Sequence, residues 1–424
     1  MTVTHAAYKK ALAEELLPAM GCTEPIALAY AAAVAGGRLG GYPEAIDVEV
    51  SRNIVKNVKS VIVPNTGGLS GIEAAVAAGF VARRPDAGLQ VLAAVTPEER
   101  DEIGVRAKGP MHVHQSNEPD VFFIKVAGTL GEKTVSVTIR TYHTNITEIV
   151  EDGQVVFEKN CSRAPEAQPD GAPAVDPWSI SEIITAARTM DLCGVEELLE
   201  RQMSSNIAIA QEGLSGNWGA TIGKILLERD PENPAVQARA WAAAASDARM
   251  NGCELPVVIV SGSGNQGITA SVPVVIFGKA LKASPDALKR ALLLSDLVTI
   301  ALKQGIGKLS AYCGAVSAGC GSGAGIAMLE GFTDEEIQTV IRNALAITSG
   351  LLCDGAKSSC AAKISMSIEG ALVALDMVKH HQAFKAGDGI VQSTTDETAA
   401  AVGRIASQGM VDTDREIIRV MLHH

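Results

Sequence analysis

The chain is poor in aromatic residues, which make up 4% of its 424 positions. With alanine and glycine abundant, that scarcity suits close-packed helices better than a large β-sandwich, whose facing sheets need bulky inward side chains. No stretch reaches the roughly 18 consecutive apolar residues of a membrane-spanning helix. The N-terminus lacks the apolar core of a secretory signal, so the expected location is cytoplasmic. Nor is there a surplus of positive charge. Lys and Arg number 36 against 48 Asp and Glu, and the formal charge of -12 argues against nucleic acid or an anionic membrane as partner.

What is present is core material and cysteine. With 47% hydrophobic residues the chain can bury a large interior, and its length accommodates two or three domains. Disulfides are rare in the cytosol, so the eight cysteines are expected to be thiols or ligands. Cys313, Cys320, Cys353 and Cys360 fall in two glycine-rich segments. Glycine beside cysteine lets a backbone approach something bulky and leaves amides free to face sulfur. Between the segments, residues 333–348 open with Thr-Asp-Glu-Glu and place apolar residues at Ile337, Val340, Ile341 and Leu345, the pattern of a capped amphipathic helix. Such a helix could carry the chain away from a Cys313 loop and back, so that Cys313, Cys353 and Cys360 meet. Three thiolates without a fourth suit an iron-sulfur cluster with one open iron. The competing reading is of small buried hydrophobes, and Cys-x6-Cys is neither a zinc ribbon nor a ferredoxin run.

The rest of the chain reads as mainly helical α+β. Helices are predicted over 5–17, 25–35 and 72–81, and strands over 46–54 and 60–63. The texture changes at 86–160. A strand at 89–95, a charged helix at 97–107 and strands at 111–114, 121–127, 133–140 and 154–159 predict a small α+β domain with an antiparallel sheet. Residues 161–178, rich in proline, read as a linker. Residues 179–424 read as the main helical domain, and with 1–85 they form a catalytic body into which the smaller domain is inserted.

Three further stretches could carry chemistry. Cys22 lies just before a helix whose first turn holds Pro25, where the helix dipole favours thiolate; a buried residue beside the cap is the equal alternative. Asn65-Thr66-Gly67 feeds the 72–81 helix and could offer amides to a carboxylate, although an ordinary turn has the same composition. Gly262-Ser263-Gly264-Asn265-Gln266-Gly267 formally matches Gly-x-Gly-x-x-Gly, but Pro273 six residues on weakens a phosphate-binding helix. A loop whose Ser263, Asn265 and amides hold a substrate's polar end is preferred. His143 could reach a site from the end of the small domain.

Taken in order, Met20-Gly21-Cys22-Thr23-Glu24-Pro25, Val63-Pro64-Asn65-Thr66-Gly67, Ser261 to Gly267, Cys313-Gly-Ala and Leu352-Cys353-Asp354 with Cys360 resemble the L-cysteine desulfidase branch of the iron-sulfur L-serine dehydratase superfamily across nearly the whole chain. Cys353 and Cys360 are closer together than the corresponding dehydratase pair. The resemblance implies a lyase that converts L-cysteine to pyruvate, ammonia and sulfide through aminoacrylate. It implies Cys22 as base and a 4Fe-4S cluster held by Cys313, Cys353 and Cys360 as Lewis acid. It also implies a small amino-acid substrate bound by Asn65, Thr66, Gly67, Ser261, Ser263, Asn265 and Gln266. Cys320 is read as a neighbour of the ligands, and Cys161, Cys193 and Cys253 as structural. An L-serine dehydratase, a non-catalytic iron-sulfur or amino-acid-binding protein and, more weakly, a dinucleotide oxidoreductase are the alternatives. Homo-oligomerisation is left open.

Overall fold

Small residues decide how the helical body packs. In a computed structural model, which describes residues 4–118, 120–159, 178–307 and 309–422, the helices Gly264–Ala280 and Gly314–Leu329 are buried along most of their length. Pro285–Ile306 packs on the latter. A Cβ at Gly321 would lie 2.4 Å from the Ser295 carbonyl oxygen, and one at Gly325 2.6 Å from that of Ala291, so only glycine permits this approach. The segment after Cys313, expected as a loop, is therefore a helix: packing outweighs glycine's poor propensity of about 1 kcal/mol per residue. Pro273 also lies inside a helix, Gly264–Ala280. It forfeits one backbone hydrogen bond, yet burial of the helix around it keeps the chain helical, against the expectation that the proline argues for a loop.

The α+β class holds. A six-stranded sheet runs in the order His112–Gln115, Ala45–Val50, Phe123–Leu130, Lys133–Arg140, Ile146–Glu151, Gln154–Glu158. Only its first pair is parallel. Because Ala45–Val50 precedes residue 86, the 86–160 segment does not make this sheet alone. Thr23–Leu39 packs against the sheet and against Ile72–Ala82. On the exposed edge, His112 Nδ1 lies 2.6 Å from an Asp47 oxygen and stacks on His114.

Four local expectations are corrected. The strand predicted over 46–54 ends at Val50, and Arg52–Val58 is helical; within it Ile54 and Val58, both buried, are spaced by four, the helical period. Residues 60–63 make one isolated bridge, Ile62 to Ser70. The 89–95 strand is replaced by a 3-10 turn over Pro85–Gln90 and further turns, because Val91 and Leu92 are both buried where a strand would alternate. Ile146–Glu151 is an additional strand. The 161–177 part of the expected linker, and Cys161, lie outside the described residues. No described helix is long and apolar enough to cross a membrane.

Candidate active site

A two-stranded pairing brings the front of the chain to the middle. Pro18–Met20 pairs antiparallel with Pro256–Val258, which sets Cys22 beside the 261–266 segment. The Thr23 hydroxyl then donates to the Gly262 carbonyl at 2.9 Å. Cys22 is the N-cap residue of Thr23–Leu39, as the sequence suggests, but its protonation is not what a helix N-terminus alone would set. Burial, and after it the negative charge of Glu24, push the thiol well above its usual range. The thiol donates to Glu24 Oε2 at 3.1 Å.

Glu24 is the hub of this end. Thr23 Oγ1 donates to Oε2 at 3.1 Å and Asn57 Nδ2 to Oε1 at 3.3 Å. His143 Nε2 lies 3.7 Å from Oε1, beyond hydrogen-bonding distance but close enough to favour the charged carboxylate. Burial opposes ionisation, yet His143 and Cys22 outweigh it and hold Glu24 at about 2. The buried His143 ring stands edge-on to Phe122, centroids 4.8 Å apart.

The other end carries the three thiols. Cys313 caps Gly314–Leu329, Cys360 opens Cys360–Lys379, and Cys353 sits in the loop before it. The Cys313 amide donates to Leu351 O at 3.0 Å and the Cys353 amide to Ala311 O at 2.7 Å, clamping the two segments side by side. The thiols feel one another. Burial and then Cys353 raise Cys313 to about 12, and burial followed by Cys353 raises Cys360. Lys363 counters both, and Lys357 helps at Cys360; Asp354 pairs with the two lysines. Cys22 and Cys360 share one small apolar cluster with Val61, Met250 and Ala356. Cys320 is 1% exposed in mid-helix, Cys253 is buried and Cys193 exposed elsewhere. The donor set fits a cluster held by three cysteines: three half-buried thiols without disulfides, brought together on different segments and flanked by cations that offset thiolate charge.

The residues expected to bind substrate divide into two groups. Asn65 donates to the Leu92 carbonyl at 2.9 Å and accepts from Arg100 at 3.2 Å. The Thr66 hydroxyl donates to Val63 O at 2.7 Å, and Gly67 is exposed. These side chains brace their own loop, which touches the N-terminal segment through the Asn65 contact to Met20 Sδ at 3.8 Å. Ser261, Ser263, Asn265 and Gln266 lie at or just before the start of Gly264–Ala280. The Gln266 amide packs against Gly314, next to Cys313; a Cβ there would be 2.7 Å from the Gln266 Cδ.

Two residues of this site carry no motif. Arg249, 2% exposed, lies in Pro234–Met250 and donates through Nη1 to Asn265 Oδ1 at 3.1 Å. It feels Cys22, Glu24 and Cys360 electrostatically. Asn57 reaches Glu24 from the helix Arg52–Val58, of which the predicted strand took in only the first three residues. An arginine in an otherwise alanine-rich buried helix is a signal that sequence reading could have taken.

Chains with these features form a recognisable class. Residues 86–419 match the serine dehydratase alpha chain family, and the chain belongs to it. That makes it an amino-acid lyase of the dehydratase type by family. Its relatives include the UPF0597 protein of Desulfitobacterium hafniense, 46% identical over 98% of this chain and 96% of the relative. The UPF0597 proteins of Lachnoclostridium phytofermentans and Finegoldia magna are 44% and 42% identical over 98% of this chain, and over 100% and 99% of theirs.

Proposed function

We propose that the chain is an iron-sulfur-dependent L-cysteine desulfidase. The observation that carries this reading is that the free thiols Cys313, Cys353 and Cys360 act on one another electrostatically and that Cys360 shares an apolar cluster with Cys22, whose thiol donates to the buried Glu24. Cys313, Cys353 and Cys360 would hold a 4Fe-4S cluster, which when bound supplies Lewis acidity toward the substrate's leaving group. In its thiolate form Cys22 takes the α-proton. The Cα–H electron pair becomes the Cα=Cβ bond, and the Cβ–S bond breaks with its pair leaving on sulfide. The aminoacrylate tautomerises and water hydrolyses it to pyruvate and ammonia, so no oxidant or reductant is consumed. Resting Cys22 carries a proton that must leave to water before the thiolate can act; Glu24, held at about 2, accepts its hydrogen bond without taking that proton. Arg249 opposes Glu24 by favouring the thiolate. Ser261, Ser263, Asn265 and Gln266 face the substrate, while Asn65, Thr66 and Gly67 support the Cys22 turn.

Thiolate is a better leaving group than hydroxide and a softer ligand for iron, which favours cysteine. The family name favours L-serine as second reading. The deciding experiment compares kcat/KM for sulfide release from L-cysteine with that for pyruvate formation from L-serine, using anaerobically prepared protein. The first is expected to be larger. The opposite order makes the chain a serine dehydratase, and no turnover of either leaves a binding protein.

A further inference from the structure

Arg249 is a buried cation with two of its three nitrogens idle. One arm is pinned by Asn265 Oδ1 at 3.1 Å, whereas Nε and Nη2 are buried and meet no carboxylate or carbonyl oxygen among the described residues; the Cys22 sulfur beside the guanidinium favours its charge. These two nitrogens form one edge of the guanidinium, and their parallel N–H bonds match the two oxygens of a carboxylate. An unpaired buried charge of this kind is costly unless a partner arrives. Glu24 attracts the group through space, but its oxygens are engaged by Cys22, Thr23 and Asn57.

The surroundings point to a small ligand. A Cβ on Gly264 would sit 2.3 Å from Arg249 Nε, so glycine at the start of the helix makes room for the guanidinium. The first turn of that 17-residue helix ends in free amides that also favour an anion. Two residues further, Gln266 Oε1 is buried and likewise without a partner, against Gly314. Two idle donors and one idle acceptor near Cys22, Cys313 and Cys360 are what an amino acid with both termini free would satisfy.

We infer that the Nε–Nη2 edge of Arg249 binds the α-carboxylate of the substrate and restricts the site to amino acids in which that carboxylate is free. The inference deepens the desulfidase reading and rests on it for the substrate's identity, but its test does not require turnover. Cluster-loaded protein is titrated calorimetrically with L-alanine, which has the amino acid frame and no leaving group, and with L-alaninamide, which lacks the charge. The wild-type protein should bind L-alanine and bind the amide at least about 30-fold more weakly, the usual scale for losing one partner of a buried charge pair. Arg249→Lys, which keeps the charge without the two-pronged edge, should lose L-alanine affinity by a similar factor at unchanged iron content. Equal binding of acid and amide, no binding of L-alanine, or unaltered binding by a correctly loaded Arg249→Lys overturns the inference. Loss of iron in Arg249→Lys also overturns it, by giving the arginine to the thiolates. If that variant fails to fold, the comparison of the two ligands on the wild-type protein decides alone. Selective L-alanine binding without sulfide or pyruvate production would sink the proposed reaction and leave the carboxylate anchor standing.

Discussion

Glu24 and Asp296 are both buried carboxyl groups, one at the candidate site and one in the seam between the helices Glu196–Ser215 and Pro285–Ile306. Glu24 is held at about 2 despite burial, because His143 and Cys22 favour its charge. Asp296 has Gln202 as hydrogen-bond partner at 2.8 Å, its second oxygen meets none among the described residues, and burial lifts it to about 8. Charge is maintained where side chains have been gathered around it and given up where only helix packing surrounds it. Around Glu24 the site is thus a cluster of mutually satisfied polar groups, and substitutions in the two places should fail differently.

The largest effect is expected at the thiols. Cys353→Ala, Cys313→Ala or Cys360→Ala should abolish iron binding and the broad visible absorption of a thiolate-held cluster, with all activity. Cys193→Ala and Cys253→Ala should not. Iron analysis of anaerobic preparations checks this, and full iron in Cys353→Ala would sink the ligand assignment.

Next is Cys22→Ser, which keeps size but removes a group able to be a thiolate near neutrality. Its rate should fall by about 10²- to 10⁴-fold with iron retained and with exchange of the substrate α-hydrogen for solvent deuterium lost. If iron is lost instead, Cys22 is a ligand and His143 becomes the first candidate for the base.

The two carboxyls provide the smaller, pH-dependent effects. Glu24 is depressed from 4.5 to about 2, so its stabilising contribution is complete above about pH 4.5 and vanishes as pH falls toward 2. Glu24→Gln should remove that part of the acid dependence of the melting temperature. Asp296 is raised from 3.8 to about 8, so its contribution is complete below about pH 4 and declines as pH rises through 8. Asp296→Asn should flatten the decline in stability between about pH 4 and about pH 8 and leave kcat/KM unchanged. A variant at Asp296 that alters kcat/KM, or a Glu24→Gln protein with wild-type acid sensitivity, would erase the distinction between site and seam.

Parts of both were legible in the chain itself. The helix Asp334–Thr348 has its capping box at Thr333 and Glu336, and the strand Lys133–Arg140 has the predicted bounds, because caps and alternating burial are local signals. The cysteines and the 261–267 segment were visible as patterns. Arg249 was visible only as a charge in an alanine-rich helix, since its partners, residues 22, 24, 265 and 360, are related to it by no local period. Glycines and Pro273 misled for the same reason. Their intrinsic preferences are weak beside the contacts of a helix buried on all sides.

The sequence by itself determined the class of architecture, the shortage of cationic residues, the helix end that holds Cys22, and the supply of thiols, because composition, caps and periodicity act over a few residues. Only the tertiary structure decided that Glu24 meets His143 119 positions away, that Cys313 and Cys353 lie on adjacent backbone segments, and that an arginine is left with an unpaired edge beside them. Charge and hydrogen bonding at a buried site depend on which distant side chains packing brings within a few ångströms, and that is settled when the helices close on one another.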